Sequence, residues 1–223
     1  MNLGQQTTMD QDFKQSLRNK LRQQRAQLDA TTRLCLEGKI NRHLLHWLCS
    51  RQEQHIACYW PVRGEVDVRP SLNQLSASDR QIYLPRISES QAGLMHFVPW
   101  DPETITEHLN RFGIPEPPDI NARDAADLDI ILAPLVAYCP HGGRLGAGAG
   151  YYDRACAKID RQRTWFIGLA YGFQMVEGLP QEPWDIPLDG VITEQGFIAC
   201  NTRMAEALPT ASTDQEHNEW PIG

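Results

Sequence analysis

The chain has 223 residues, of which 41% are hydrophobic, and a formal net charge of −7. This length is enough for one substantial core, and the acidic balance argues against a general nucleic-acid binder. The first 12 residues contain no apolar signal-peptide core, and no run of about 18 apolar residues occurs anywhere. We therefore expect a single-domain cytoplasmic monomer that binds neither nucleic acid nor membrane.

Two amphipathic helices are predicted before the first strand. Apolar residues recur at helical spacing across residues 11–28, beside a separate basic stripe that includes Lys14 and Arg18. A second helix is expected after the capping segment 29–32. The sequence thus begins its folded part with a helical pair.

The ends of the chain lack these patterns. Residues 1–12 are expected to form a flexible extension and residues 201–223 a disordered tail. The domain is therefore placed at residues 13–200.

Short apolar runs bounded by turn residues predict six strands, at 55–60, 81–84, 94–98, 128–136, 164–169 and 190–198. Helical stretches between most of them indicate an α/β fold with a largely parallel central sheet flanked by helices. The run 128–136 is apolar enough to be the central strand. Ligands bind beyond the carboxyl ends of such strands, so we expect the site just after residue 136.

A glycine-rich segment lies there, with five glycines between residues 142 and 150. Glycines let the backbone approach a ligand closely, and several N–H groups can then face one oxyanion beside a helix N-terminus. The segment matches neither the Walker A motif nor G-x-G-x-x-G. Polyphosphate is the expected ligand, and a tight strand-to-helix connection is the alternative.

The motif Arg144-Leu-Gly-x-Gly-x-Gly-Tyr-Tyr-Asp-Arg154 resembles the signature of the 5-formyltetrahydrofolate cyclo-ligase family. Five further segments are similar to that family in the same order, at residues 14–18, 59–67, 84–87, 113–117 and 184–188. The chain departs from the family pattern at Cys139, where aspartate is usual. It also departs at Ala147 and Ala149, where the family often has an aromatic or basic residue and a glycine or lysine.

The resemblance implies conversion of 5-formyltetrahydrofolate to 5,10-methenyltetrahydrofolate, with ATP as co-substrate and Mg²⁺ as cofactor. ATP phosphorylates the formyl oxygen, N10 attacks the formyl carbon, and phosphate leaves. Phosphoryl transfer asks a protein mainly for positioning and charge neutralisation. Two other functions remain open, a non-catalytic nucleotide- or folate-binding relative and a different Mg·ATP-dependent small-molecule kinase or ligase.

By the same resemblance, N-terminal cations and the glycine-rich loop form the ATP site, and Lys14 and Arg144 have catalytic roles. Without it, these cations are read as solvated charges or surface ion pairs. The implied ATP-binding residues are Lys14, Arg18, Arg144, Leu145, Gly146, Ala147, Gly148, Ala149, Gly150, Tyr151 and Tyr152.

Metal and folate ligands are also implied by the resemblance. Asp153 and Asp185 are the expected Mg²⁺ ligands, with helix capping and a local backbone bond as their respective alternatives. Folate needs a flat apolar slot with a polar edge. The expected folate-binding residues are Trp60, Glu65, Phe112, Gly148 and Tyr151.

Overall fold

The computed structural model describes residues 3–88, 91, 93–102 and 108–208. Its helices are α1 (Leu3–Gln27), α2 (Ala30–Cys49), α3 (Arg69–Ser76), α4 (Tyr151–Ala155) and α5 (Thr202–Ala207). Its strands are β1 (His55–Ala57), β2 (Gln81–Ile87), β3 (Met95–Pro99), β4 (His108–Leu109), β5 (Pro115–Glu116), β6 (Ile130–Pro134), β7 (Ala137–Tyr138), β8 (Arg144–Leu145), β9 (Trp165–Leu169), β10 (Gly190–Thr193) and β11 (Gly196–Ala199).

Seven of these strands form one sheet in the order β11-β10-β9-β6-β1-β2-β3. The five inner strands run parallel, and an antiparallel strand closes each edge. The predicted α/β fold with a largely parallel sheet is confirmed. Strand β6 is central and its first four residues are buried, as its apolar sequence predicts.

Both faces of the sheet are covered. Helices α2 and α3 bury Leu44, Trp47 and Leu72 on one face. Helix α2 begins after Asp29, whose side chain accepts a hydrogen bond from the Thr32 backbone N–H at 2.9 Å, so the predicted cap is confirmed. A second cluster, which includes Cys156 and Leu188, covers the other face.

Two parts of the predicted element pattern are wrong. Residues 190–198 were expected as one strand, but β10 and β11 form an antiparallel hairpin that turns at Glu194 and Gln195. The turn is polar but short, and its flanks are apolar, so the segment resembles a continuous run. Helices also separate fewer strands than expected, because β2 passes directly to β3 as an antiparallel neighbour.

The chain ends also differ from the expected pattern. Residues 3–12, expected as a flexible extension, are part of α1. Their sequence is polar, so the apolar periodicity that predicts the helix begins only at Phe13. Residues 202–207 of the expected tail form α5, which is capped by Asn201 and anchored by buried Met204. The rest of that tail, 209–223, lies outside the described residues.

Within the residues described, no helix is both long and apolar enough to cross a bilayer. The longest is α1, with 25 residues, and its sequence is mostly polar.

Candidate active site

The carboxyl ends of the parallel strands meet at one edge of the sheet, and the predicted site residues follow these ends. Trp60 and Glu65 follow β1, and the glycine-rich segment follows β6. Helix α1 lies against this edge, because buried Arg25 donates a hydrogen bond to the Leu135 carbonyl at 3.2 Å. The fold therefore brings the start of the chain to segments more than a hundred residues later.

A small hairpin, β7–β8, separates β6 from the glycine-rich loop, which the sequence pattern alone does not indicate. It turns through Gly142, whose φ of +86° is a left-handed conformation that favours glycine. A Cβ atom at Gly142 would lie 2.5 Å from the Leu188 carbonyl oxygen. This tight turn fixes the position of Arg144, the first residue of β8.

Arg144 is buried beside the loop rather than exposed to a phosphate. Its guanidinium lies 2.5 Å from Asp153 Oδ1, and only 4% of its side chain is exposed. The guanidinium carbon lies 5.7 Å from the centre of the Tyr152 ring and 5.4 Å from that of Phe166. In this structure Arg144 is therefore the partner of a predicted metal ligand, and Asp153 does not cap α4, whose N-cap is Gly150 without a side-chain bond.

Lys14 lies at a second acidic group. Its Nζ is 3.6 Å from Glu182 Oε1 and 3.9 Å from Asp185 Oδ2, and 14% of its side chain is exposed. Asp185 also accepts a hydrogen bond from the Glu182 backbone N–H at 2.9 Å, the local bond that its turn-rich sequence suggests. Glu182 was missed from the sequence, although it stands in the same turn as Asp185.

The two predicted metal ligands therefore each face a cation, Arg144 for Asp153 and Lys14 for Asp185. Across the described ranges, no three His, Cys, Asp or Glu side chains cluster as a metal site. Magnesium commonly takes one or two carboxylates and completes its shell with phosphate oxygens and water. These side chains fit such an ion as partial ligands only, with phosphate supplying further oxygens.

The backbone of the glycine-rich loop has unused donors. In the part of the chain that the structure describes, the N–H groups of Ala147, Gly148 and Gly150 donate to no acceptor. The loop is exposed at residues 147–149 and leads into α4. N–H groups without partners next to exposed glycine are what an anion-binding loop requires.

Two predicted folate residues lie together. The rings of Phe112 and Tyr151 meet edge to face, with centroids 6.2 Å apart, and 42% of Phe112 is exposed. Arg111 donates a hydrogen bond to the Tyr151 hydroxyl and lies over Phe112. Sequence reasoning missed Arg111, which stands beside Phe112 in a loop without a recognisable motif.

Trp60, the third predicted aromatic wall, lies elsewhere. Arg69 stacks on its ring at 5.5 Å, and the ring packs against the core beneath α2 and α3. Among the described residues, no ring contact joins Trp60 to the Phe112–Tyr151 pair. Of the three aromatic residues expected to enclose the folate, only Phe112 and Tyr151 are therefore in contact in this structure.

Glu65 and Tyr152 bring polar groups into an apolar environment. Burial raises the pKa of Glu65 above its ordinary value of 4.5, against the opposing effects of the Val62 N–H bond and the Arg25 charge. The pKa of Tyr152 is raised well above 10 by burial, and its nearby groups include Cys58 and Glu65. In the described residues the Tyr152 hydroxyl has no hydrogen-bond partner.

We expect Glu65→Gln to be more stable than the unsubstituted protein at pH 7 to 8 and equally stable at low pH. The folded-state pKa lies above the unfolded one, so the protonated form stabilises the fold most below 4.5. That contribution is lost as the pH rises through the folded-state value, whereas glutamine stays neutral throughout. Thermal unfolding across pH 4 to 8 measures the difference.

The exposed Glu177→Gln variant is the control for this series, because surface substitutions change stability by about 0.5 kcal/mol or less. A Glu65→Gln variant that loses stability at pH 8 would show that the carboxylate is favoured by Arg25 more than it is penalised by burial.

The structure defines an α/β protein with a glycine-rich loop, whose N–H groups lack acceptors, at the carboxyl edge of its sheet. Comparison with known proteins makes this assignment specific. The family model described as the 5-formyltetrahydrofolate cyclo-ligase family matches residues 10–194. The chain therefore belongs to the 5-formyltetrahydrofolate cyclo-ligase family.

Individual relatives agree. A Haemophilus influenzae protein named 5-formyltetrahydrofolate cyclo-ligase is 33% identical over 187 residues, which cover 82% of this chain and 99% of the relative. An Escherichia coli protein of the same name is 37% identical over 141 residues, 62% of this chain and 76% of the relative.

Two solved structures have the same fold. The 5,10-methenyltetrahydrofolate synthetase of Aquifex aeolicus superposes with a TM-score of 0.73 at 28% identity, covering 92% of this chain and 99% of the other. The enzyme of that name from Mycoplasma pneumoniae gives 0.67 at 28% identity, covering 81% and 98%. The confirmed fold is thus shared over nearly the full length of both.

Proposed function

We propose that this protein is a cytoplasmic 5-formyltetrahydrofolate cyclo-ligase that uses ATP to form 5,10-methenyltetrahydrofolate, ADP and phosphate. Family membership supports the reaction, and one structural observation carries the assignment of its site. The glycine-rich loop presents N–H groups without acceptors at the carboxyl edge of the sheet. Such a loop suits the phosphates of ATP.

The chemical need for ATP follows from the substrate. A formyl group on N5 is amide-like, so its carbon is a poor electrophile and its oxygen a poor leaving group. Phosphorylation of that oxygen by the γ-phosphate of ATP forms an O–P bond and releases ADP. Attack by N10 on the same carbon closes the ring, N10 loses its proton to solvent, and phosphate then leaves with the former formyl oxygen.

Lys14 and the loop are proposed to hold the transferred phosphate. Lys14 is the cation nearest to Asp185, and its ion pairs at 3.6 and 3.9 Å are long enough to exchange for a phosphate oxygen. The loop N–H groups neutralise negative charge on the phosphates without moving. The buried guanidinium of Arg144 fixes the orientation of Asp153, so Arg144 acts through that carboxylate.

Asp153 and Asp185 are proposed to hold Mg²⁺ together with phosphate oxygens. The ion would neutralise charge on the transferred phosphate when bound. Each aspartate already has a cationic partner in this structure, which keeps the carboxylate oriented. When the metal–phosphate complex binds, the metal ion would take the place of Lys14 or Arg144 as the cation next to the aspartate.

The folate is proposed to lie against Phe112 and Tyr151, with Glu65 at the polar edge. The Phe112–Tyr151 pair offers exposed aromatic surface for a flat ring system. Burial raises the pKa of Glu65, and its carboxyl group is proposed to form a hydrogen bond with a ring nitrogen or oxygen of the folate. Tyr152 offers a further hydroxyl in the same region.

The purified protein with ATP, Mg²⁺ and 5-formyltetrahydrofolate is expected to form one methenyl product for each ADP. The near-ultraviolet absorbance of the product and a coupled ADP assay measure the ratio.

We expect Lys14→Gln to raise the KM for ATP by about tenfold or more, since a charge-assisted phosphate contact is lost.

Lys20→Gln removes the same charge from an exposed position on α1 and is expected to behave like the unsubstituted enzyme. ADP formation without pterin would instead indicate a different kinase or ligase. Tight binding of both substrates without product would indicate a non-catalytic relative.

A further inference from the structure

Arginine side chains donate hydrogen bonds to three carbonyl groups of the glycine-rich loop. Arg18 Nε donates to the Gly146 oxygen at 3.0 Å, and Arg22 Nη2 donates to the Ala147 oxygen at 2.9 Å. Arg154 Nη2 donates to the Ala149 oxygen at 2.7 Å. Two of the donors come from α1 and one from α4, so both helices fix the same short backbone segment.

Because the peptide group is planar, each carbonyl contact also fixes the direction of the backbone N–H of the next residue. In a trans peptide, the C=O of one residue and the N–H of the next point in opposite directions. All peptide bonds in the described chain are trans. Each carbonyl contact therefore directs the N–H of the next residue, Ala147, Gly148 or Gly150, away from the arginine that binds that carbonyl. None of these three N–H groups has an acceptor among the described residues.

The three arginines bring positive charge to the loop. Within the described residues, none of Arg18, Arg22 and Arg154 makes an ion pair with a carboxylate. Burial, and then repulsion from Arg22, lower the pKa of Arg18. Three cations thus contact carbonyl oxygens of a loop whose N–H groups lack acceptors, and an anion bound at these N–H groups stabilises the arrangement.

We propose that Arg22 and Arg154 are positioning residues of the phosphate site, which hold the loop carbonyls so that three backbone N–H groups converge on the ATP phosphates. This inference rests on the proposed function. It assigns a role to Arg22, which the sequence motifs do not include. It also places Arg18 with them, because its Nε contacts the loop backbone in this structure.

The same contacts account for alanine at positions 147 and 149. Both residues are exposed, and their side chains end at Cβ, so they contribute no polar contact of their own. The arginines bind the backbone carbonyls of these residues, which any side chain leaves available. The conformation of the loop therefore does not depend on polar side chains at positions 147 and 149.

Steady-state kinetics with Arg22→Gln, Arg22→Lys and the control Lys20→Gln test the proposal. Arg22→Gln is expected to raise the KM for ATP about tenfold, because one hydrogen bond that shapes the loop is lost. The KM for 5-formyltetrahydrofolate should stay within about twofold, and Arg22→Lys should restore most of the ATP affinity. An ATP KM for Arg22→Gln equal to that of Lys20→Gln overturns the proposal.

Backbone NMR relaxation separates positioning from direct phosphate contact. Without ATP, residues 146–150 are expected to have order parameters of about 0.85 in the unsubstituted protein and below about 0.6 in Arg22→Gln and Arg154→Gln. A raised KM with unchanged order parameters would show that Arg22 contacts the phosphate itself, which overturns the positioning role. Relaxation needs no turnover, so it decides the proposal even if the enzyme proves inactive on 5-formyltetrahydrofolate, an outcome that would remove only the proposed function.

Discussion

Asp153→Asn is expected to lower turnover roughly a hundredfold and the free energy of unfolding by about 2 kcal/mol. An amide is a poorer magnesium ligand than a carboxylate, so the chemical step loses charge neutralisation. The stability loss has a separate cause, because the buried Arg144 guanidinium, 2.5 Å from Asp153 Oδ1, loses its counter-ion. Turnover as a function of Mg²⁺ concentration and chemical denaturation measure the two effects.

Asp79→Asn, at an exposed position away from the site, is the matched control and should change neither quantity. Raised Mg²⁺ should recover part of the turnover of Asp153→Asn but none of its stability. Lost stability with unchanged turnover would contradict the metal-ligand role and leave Asp153 as the ion-pair partner of Arg144 alone.

Gly142→Ala is expected to destabilise the protein by roughly 2 to 4 kcal/mol and to reduce activity with it. The residue has a φ of +86°, and an added Cβ would lie 2.5 Å from the Leu188 carbonyl oxygen. The backbone would have to move at the turn that places Arg144. Chemical denaturation gives the stability change, and activity per folded molecule shows whether the turn also shapes the site.

Two other glycines separate the contributions of strain and crowding. Gly113 has a φ of +72° but nothing within 4 Å of an added Cβ, so Gly113→Ala should cost about 1 kcal/mol. Gly178 has neither restriction, and Gly178→Ala should have almost no effect. If Gly142→Ala lowers the free energy of unfolding no more than Gly113→Ala does, the Leu188 carbonyl moves aside without a measurable energy change and the turn is not rigid.

The sheet could be predicted because its strands carry their own signal. The run that contains β6 is almost entirely apolar, and only a central strand buries such a run on both sides. The β10–β11 hairpin gives no such signal, since two apolar strands with a two-residue polar turn resemble one strand. What decides between them is pairing with β9, a contact outside the local sequence.

The site could be predicted in its parts but not in its contacts. Asp153, Asp185, Lys14 and Arg144 stand in recognisable motifs, yet their pairing depends on how α1 and the loop meet. Arg22 belongs to no motif, and its carbonyl partner lies 125 positions along the chain. Side chains that bind backbone atoms leave little trace in sequence, because the partner residue can change freely.

The docking of α1 also has a consequence for the order of events in folding. Arg18 joins Gly146 across 128 positions, and the sheet beneath the loop is not complete until β10 has joined β9. Contacts of such high sequence separation form late, since the loop-closure entropy must be overcome first. In a newly synthesised chain, Arg18 and Arg22 of the first helix therefore cannot bind the loop until residues 146 and 147 have emerged, and the loop is held in place only after that step.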